Sequence, residues 1–236
     1  MKLNDLVRRI EHTGASDAEI GAITYDSRKA GPGSLFVCLV GAWMDGHTFA
    51  RSAYDRGCRA FLAEHPLDLP ADAAQIVTGD TRAALAVIGA DFYGNPAREL
   101  HLIGITGTKG KTTTALLTAA ILNEAGLPCA YIGSNGVDIA GEHESTANTT
   151  PESLELHRLF RKMVDAGVHH AVLEVSSQAL AHHRVDGVPF EAVAFTNLSE
   201  DHIGPGDHPD FEDYKNAKRR LFASYDARVM VYNADD

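Results

Sequence analysis

Cysteine, long apolar runs and positive charge are all scarce in this chain of 236 residues, and each shortage removes a class of protein. Three cysteines, Cys38, Cys58 and Cys129, are odd in number and widely spaced. They offer no disulfide framework, and a reduced, cytoplasmic setting is the simplest expectation. Cys38 and Cys129 lie in apolar runs and read as small core residues, while Cys58 follows a glycine. No apolar run is long enough to span a bilayer and the N-terminus has no secretory pattern, so no membrane insertion is expected. Acidic residues outnumber basic ones by 32 to 21, for a net charge of −11, which argues against a nucleic-acid partner, where a basic face would be expected. A local loop could still bind an anionic substrate. The 12 histidines show no paired zinc spacing, and no internal repeat or low-complexity segment is visible.

What remains is an ordinary soluble composition, 44% hydrophobic and 22% charged, in a chain long enough for two domains. Helical spacing over 3–10 opens the chain. Strands are expected at 23–27 and 34–40, separated by Gly31-Pro32-Gly33. Asp45-Gly46-His47 opens a helix that Gly57 stops, and strands follow at 60–64 and 74–78. An amphipathic helix over 81–93 ends at Gly94-Asn95-Pro96, the best domain boundary in the chain; this divides it into 1–98 and 99–236. From residue 99 onward strands alternate with helices, the mark of a mostly parallel sheet covered on both faces. Strands are expected at 101–106, 127–133, 170–175 and 190–197. A polar loop is expected up to Thr150, which would cap a helix with Pro151 at its first position. A helix over 211–224 and a short strand from Val229, ending at Asp235-Asp236, complete the reading. The fold class is therefore α/β.

The stretch with most chemical content is Gly104-Ile-Thr-Gly-Thr-Lys-Gly-Lys-Thr-Thr-Thr114. An apolar β-branched strand gives way to Gly107-Thr108-Lys109-Gly110, and a helix begins at Lys111. Glycines let backbone N–H groups curl around an anion, and the helix N-terminus adds its dipole. Lys111 would reach the β- and γ-phosphates and Thr112 would hold a Mg²⁺. The spacing is unusual, because the residue six before Lys111 is Ile105 rather than glycine.

In open parallel sheets ligands gather at the carboxyl ends of the strands. Glu174, Thr196-Asn197 and Asp201-His202 converge there with the phosphate loop. Glu174 follows the buried-looking run Ala171-Val-Leu and is a natural Mg²⁺ ligand; a strand-end carboxylate facing water is the alternative. His202 is either a ligand or a satisfied loop histidine. Lys218 lies four residues after Tyr214 and four before Phe222, on the apolar stripe of its helix. Either its ammonium is disfavoured by burial, leaving an amine that can react with CO₂, or its stem packs and its head reaches water.

Taken with Asn148-Thr149-Thr150-Pro151, Leu173-Glu-Val-Ser-Ser177, His183-Arg184-Val185, Phe195-Thr-Asn-Leu-Ser-Glu-Asp-His202 and Ala217-Lys218, the phosphate-loop sequence resembles the Mur ligases over nearly the whole chain. Asp26-Ser27-Arg28, Gly33-Ser-Leu-Phe-Val37 and Asp45-Gly46-His47 resemble the branch that adds the third peptide residue in peptidoglycan synthesis. The resemblance implies an N-terminal domain for a UDP-sugar substrate and a central P-loop ATPase domain. It implies ATP-dependent amide ligation: ATP phosphorylates the terminal carboxylate of UDP-N-acetylmuramoyl-L-alanyl-D-glutamate, and an amino acid attacks the acyl phosphate. By the same resemblance Tyr25, Ser27, Gly41, Ala42 and Trp43 would contact the uridine nucleotide. Asn148, Thr149, Thr150, Ser176, His182 and Arg184 would hold the muramoyl peptide. Gly107 to Thr113, with Asn197, would hold ATP; Thr112, Glu174 and His202 would bind Mg²⁺; and carbamylated Lys218 would serve a second metal. Lys111, Glu174, His202 and Lys218 would be the catalytic set.

The chain departs from the family pattern at Ile203-Gly-Pro-Gly-Asp-His-Pro209 and at His182, where many members carry glutamine. The family also has a completed ATPase domain and a third domain carrying the amino-acid site, so this chain is expected to be the N-terminal half, binding substrate but turning over poorly alone. The rivals are a non-catalytic module that binds UDP-muramoyl peptide or ATP and pairs with a separate subunit, a folate-type ligase sharing the ATPase motif, and a generic P-loop NTPase. The choice between meso-diaminopimelate and L-lysine would lie in residues beyond Asp236.

Overall fold

The computed structural model describes residues 1–225 and 227–233. The chain divides into two compact units, Met1–Phe92 and Tyr93–Asp236, six residues before the 98/99 division expected from the sequence. The short turn Pro96–Glu99 thus belongs with the second unit.

In the first unit four parallel strands, β1 (Ala22–Thr24), β2 (Ser34–Val37), β3 (Ala60–Ala63) and β4 (Ala74–Val77), lie in sequence order. All four residues of β2 and of β3 are buried, as expected for strands covered on both faces. Helix α1 is confined to Leu3–Val7, shorter than the periodicity over 3–10 implies. Asp45 caps a 3₁₀ turn, Gly46–Phe49, by accepting from the His47 N–H, and α2 (Ala50–Asp55) continues it. Helix α3 spans Thr81–Phe92.

The second unit holds seven strands in the order β11-β10-β5-β9-β6-β7-β8. β5 (His101–Thr106), α4 (Lys111–Glu124) and β6 (Cys129–Gly133) come first in the chain. Then follow β7 (Gly136–Ile139), β8 (Glu142–Glu144), α5 (Ser153–Asp165) and β9 (His170–Glu174). Last are α6 (Ser177–Ala181), β10 (Phe190–Phe195), α7 (Phe211–Ala223) and β11 (Val229–Tyr232). β6, β9, β5, β10 and β11 are parallel; β7 and β8 add antiparallel.

Three expectations need correction. The polar loop after residue 133 contains the hairpin β7–β8, whose ion pairs from Arg158 to Glu144 and Lys162 to Glu142 tie it to α5. Thr150 does not cap α5: the cap position is Glu152, and the Thr150 hydroxyl instead donates to the Glu174 carbonyl at 2.7 Å. The same hydroxyl accepts from the Ser176 N–H at 3.1 Å, so it is fully engaged between the end of β9 and Ser176. The helix α6 was absent from the sequence reading; Ser176 caps it by accepting from the Ala179 N–H. The expected strand end at Asp235-Asp236 lies outside the described residues.

The strand order sets the site. β5 connects through α4 to β6 on one side, while its neighbour β9 connects through α6 to β10 on the other. The chain therefore diverges between the carboxyl ends of β5 and β9, where open α/β sheets bind ligands.

Candidate active site

The loop leaving β5 is shaped by close contacts from the segment after β10. Gly107 has φ +144°, and a Cβ there would fall 1.9 Å from Thr196 Oγ1, so no side chain fits. Asn197 pins the loop three ways: its carbonyl accepts from Thr108 N at 2.9 Å, Oδ1 accepts from Lys109 N at 3.0 Å, and Nδ2 donates to Lys109 O at 3.1 Å. Thr196 Oγ1 donates to Lys109 O at 2.7 Å, and Lys109 Nζ reaches Asp201 at 2.7 Å. Gly110 occupies the N-cap of α4. Lys111 folds back over the loop, with Nζ 2.9 Å from Gly107 O and 3.1 Å from Thr108 O. Burial lowers its pKa, with Glu174 and Asp201 opposing. Thr113 is exposed on the first turn.

Glu174 closes the floor. It is completely buried at the end of β9, which rules out the water-facing alternative. Its Oε1 accepts from Tyr131 Oη at 2.6 Å and Ser134 N at 3.0 Å, and its Oε2 accepts from Thr112 Oγ1 at 2.9 Å. Tyr131 is raised above the ordinary phenol range by burial and by its bond to Glu174. Gly133 makes room: a Cβ there would lie 2.1 Å from Glu174 Oε1 and 2.3 Å from Tyr131 Oη.

Lys218 is 3% exposed and points at the loop, its Nζ 2.9 Å from Gly107 O and 4.5 Å above the Tyr214 ring. Its head does not reach water. Burial, with help from the Lys111 charge and against Asp201, lowers its pKa to about 7. Buried Tyr214 donates to Thr108 Oγ1 at 3.0 Å, and Thr108 bridges to Ser199. One buried group thus joins α7, the phosphate loop and the segment after β10.

His202 stands apart. It is half-exposed with φ +55°, and its ring lies 6.2 Å from that of Tyr214; the described hydrogen bonds of Glu174 do not include it. The muramoyl candidates are partly gathered. Thr150 Oγ1 lies 3.3 Å from Ser176 Oγ, Thr149 Oγ1 3.0 Å from Ser134 Oγ, and Arg184 donates to Thr150 O while pairing with Glu152 at 2.8 Å. Asn148 is exposed and His182 ends α6. Tyr131, Ser134 and Glu152 carry no sequence expectation of a site role, and Tyr214 is read there only as part of the apolar stripe of its helix. The usable signal was for the tyrosines, since a buried phenol needs a hydrogen-bond partner.

In the first unit Tyr25 and Ser27 line a cleft of about 500 Å³ with Asp26, Arg28, Met44 and Phe49. Arg28 grips Asp26 through two bonds of 2.9 Å, and that bond holds the Asp26 carboxyl down at about 2. Gly41, Ala42 and Trp43 are exposed beside Met44 but do not line the cleft, and Trp43 is 80% exposed. Asp45, His47 and His65 come together with metal-ligand geometry. His47 Nε2, however, accepts from the Glu64 N–H, so its Nδ1 carries the proton donated to Asp45 at 2.6 Å. Metal at Nδ1 would require an imidazolate. His47 is a satisfied, structural histidine.

The profile described as "Mur ligase middle domain" matches residues 105–236, and that described as "Mur ligase family, catalytic domain" matches 19–93. The chain belongs to the Mur ligase family. It is 43% identical over 247 aligned positions to the UDP-N-acetylmuramoyl-L-alanyl-D-glutamate–2,6-diaminopimelate ligase of Geobacillus thermodenitrificans, covering all of this chain and 50% of that protein. The ligase of the same name from Listeria monocytogenes is 44% identical over 246 positions, with 49% of it covered. A solved structure of such a ligase superposes with a TM-score of 0.83 at 29% identity, covering all of this chain and 47% of that one. The chain thus spans about half the length of the curated Mur ligases it matches.

Proposed function

We propose that this chain holds ATP and UDP-N-acetylmuramoyl-L-alanyl-D-glutamate for a cytoplasmic ligase that adds the third peptide residue through an acyl phosphate. The observation that carries the reading is the 2.9 Å contact between Thr112 and buried Glu174 at the floor of the phosphate loop, with Lys218 against the loop's side. The names of the relatives favour 2,6-diaminopimelate over L-lysine as the amino acid.

The residues fit the chemistry. Glycine-shaped backbone and Lys111 would receive the phosphates of ATP, Lys111 leaving its carbonyl partners for the stronger, charge-assisted bond to phosphate. Thr112 and Glu174 present hard oxygen donors of the kind Mg²⁺ takes, with His202 as a further ligand if its exposed loop turns inward. A bound Mg²⁺ would neutralise charge on the phosphates. Arg184, Ser176, Thr149, Thr150, Asn148 and His182 would hold the muramoyl peptide, and Tyr25 and Ser27, with Gly41, Ala42 and Trp43 alongside, the uridine nucleotide. No protein nucleophile is needed; orientation and charge stabilisation carry the barrier reduction. With a pKa of about 7, Lys218 keeps a large neutral fraction near neutrality. That amine can add to CO₂, forming an N–C bond and releasing a proton, to give a carbamate oxygen ligand.

The test is calorimetric titration of the chain with UDP-N-acetylmuramoyl-L-alanyl-D-glutamate and Mg·ATP, followed by hydroxylamine trapping of any acyl phosphate. Saturable binding of both ligands is expected, with weaker UDP-substrate binding in Arg184→Ala. A chain that binds neither would overturn the reading. ¹³C-bicarbonate NMR checks the carbamate, whose signal should vanish in Lys218→Arg.

A further inference from the structure

A second cleft, of about 550 Å³, lies between α7 and the segment linking α6 to β10, and none of the phosphate-loop residues line it. Its walls include Leu180, His183, Asp186, Val188, Arg220 and Tyr225. Arg220 follows Lys218 by two residues, about 200° around the helix, so the cleft uses the side of α7 turned away from the loop. This volume suits a small molecule.

The polar groups here are ordered and of opposite sign. Asp186 Oδ1 accepts from Tyr225 Oη at 2.6 Å, and Oδ2 pairs with His183 Nδ1 at 2.6 Å. Burial works to raise the Asp186 carboxyl, but the His183 and Tyr225 bonds and the His183 and Arg220 charges outweigh it, so the group stays a carboxylate. Each carboxylate oxygen can accept more than one hydrogen bond. Arg220 Nη1 donates to Leu180 O at 3.0 Å, the one hydrogen bond described for a guanidinium that has five N–H donors. Leu180 and Val188, both nearly fully buried, and Pro189 supply apolar wall.

We propose that this cleft binds a small zwitterion, a free amino acid with an apolar side chain, its ammonium on Asp186 and its carboxylate on Arg220. A lone anion would meet Asp186 and a lone cation would meet Arg220, whereas a zwitterion satisfies both charges. The position makes the site an effector site. His183 directly precedes Arg184, which holds Thr150 and Glu152, while the helix bearing Arg220 seats Lys218 on the carbonyl of Gly107. A ligand bridging Asp186 and Arg220 ties the two elements together, and coupling to the phosphate loop must be reciprocal. Only this coupling rests on the nucleotide reading of that loop; occupancy of the cleft does not.

The probe is L-leucine, titrated into the full chain by calorimetry and ligand-observed NMR, with isocaproate and isoamylamine as single-charge controls. L-Leucine should bind at least roughly tenfold more tightly than either control, the scale of one charge-assisted bond. Arg220→Gln, on the exposed side of α7, and Asp186→Asn should each weaken binding by a similar factor, thermal melts confirming that both fold. Saturating L-leucine should shift the ADP dissociation constant about fivefold or more in the parent chain and not in Arg220→Gln. No L-leucine binding, or binding indifferent to both substitutions, would overturn the proposal while leaving ADP binding as it was. Leucine binding in a chain that fails to bind ADP would preserve the site and remove the nucleotide reading instead.

Discussion

Gly133 has no role that composition would reveal, yet the structure makes it the residue that leaves room for the buried Tyr131–Glu174 pair proposed to hold Mg²⁺. In Gly133→Ala the new methyl would sit 2.1 Å from Glu174 Oε1 and 2.3 Å from Tyr131 Oη, where about 3.4 Å is the ordinary approach. Neither neighbour can yield cheaply. Both are fully buried, and their own 2.6 Å bond fixes their separation. Overpacking of a rigid core costs about 1–3 kcal/mol. At about 2–4 °C per kcal/mol for a domain of this size, the melting temperature should fall by several degrees. Relief by displacing Glu174 would break its bond to Thr112, so Mg·ADP affinity should fall by about tenfold or more, one such factor corresponding to about 1.4 kcal/mol. Differential scanning fluorimetry and Mg·ADP calorimetry read the two effects. A variant with the parent's melting temperature and Mg·ADP affinity would refute the packing argument.

Other perturbations separate the remaining contacts. Glu174→Gln preserves shape but removes the charge, so nucleotide binding should lose its Mg²⁺ dependence while a metal-free component survives; titrations with and without EDTA decide. Asn197→Ala removes two side-chain bonds to Lys109, worth about 1 kcal/mol each, so the melting temperature should fall by several degrees and ADP binding should weaken several-fold. For Lys218, with a folded pKa of about 7 against an ordinary lysine's ~10.4, the folded chain bears the full cost of the buried ammonium below pH 7. Between those values only the unfolded chain keeps the proton, so stability rises with pH. Lys218→Met in bicarbonate-free buffer should therefore stabilise the chain, more at pH 6 than at pH 9; denaturant melts showing an equal gain at both would contradict the burial.

Much of this was legible in the sequence because local chemistry carried it. β5, the glycine turn and α4 fall where strand, φ-permissive and helix-forming residues succeed one another, whereas the spacing of Lys218 on the Tyr214 stripe leaves inward and snorkelling placements both open, and only packing against the loop decides between them. The misses came from contacts distant in the chain. Thr150 has every local mark of a helix cap, but its hydroxyl is claimed by Glu174, 24 residues away. The hairpin at 136–144 is short and charged, and ion pairs to α5 hold it where periodicity gives no signal. The Tyr131–Glu174–Ser134 cluster exists only because β6 and β9 are neighbours, a matter of strand order rather than of any motif.

The measurement that bears most directly on the central claim is calorimetric titration of the full chain with Mg·ADP, beside Lys111→Ala and Thr112→Ala. The account predicts one saturable site in the parent chain and an affinity at least about tenfold weaker in each variant, with thermal melts showing that both variants still fold. Equal affinity in all three proteins would mean that the phosphate loop does not hold the nucleotide.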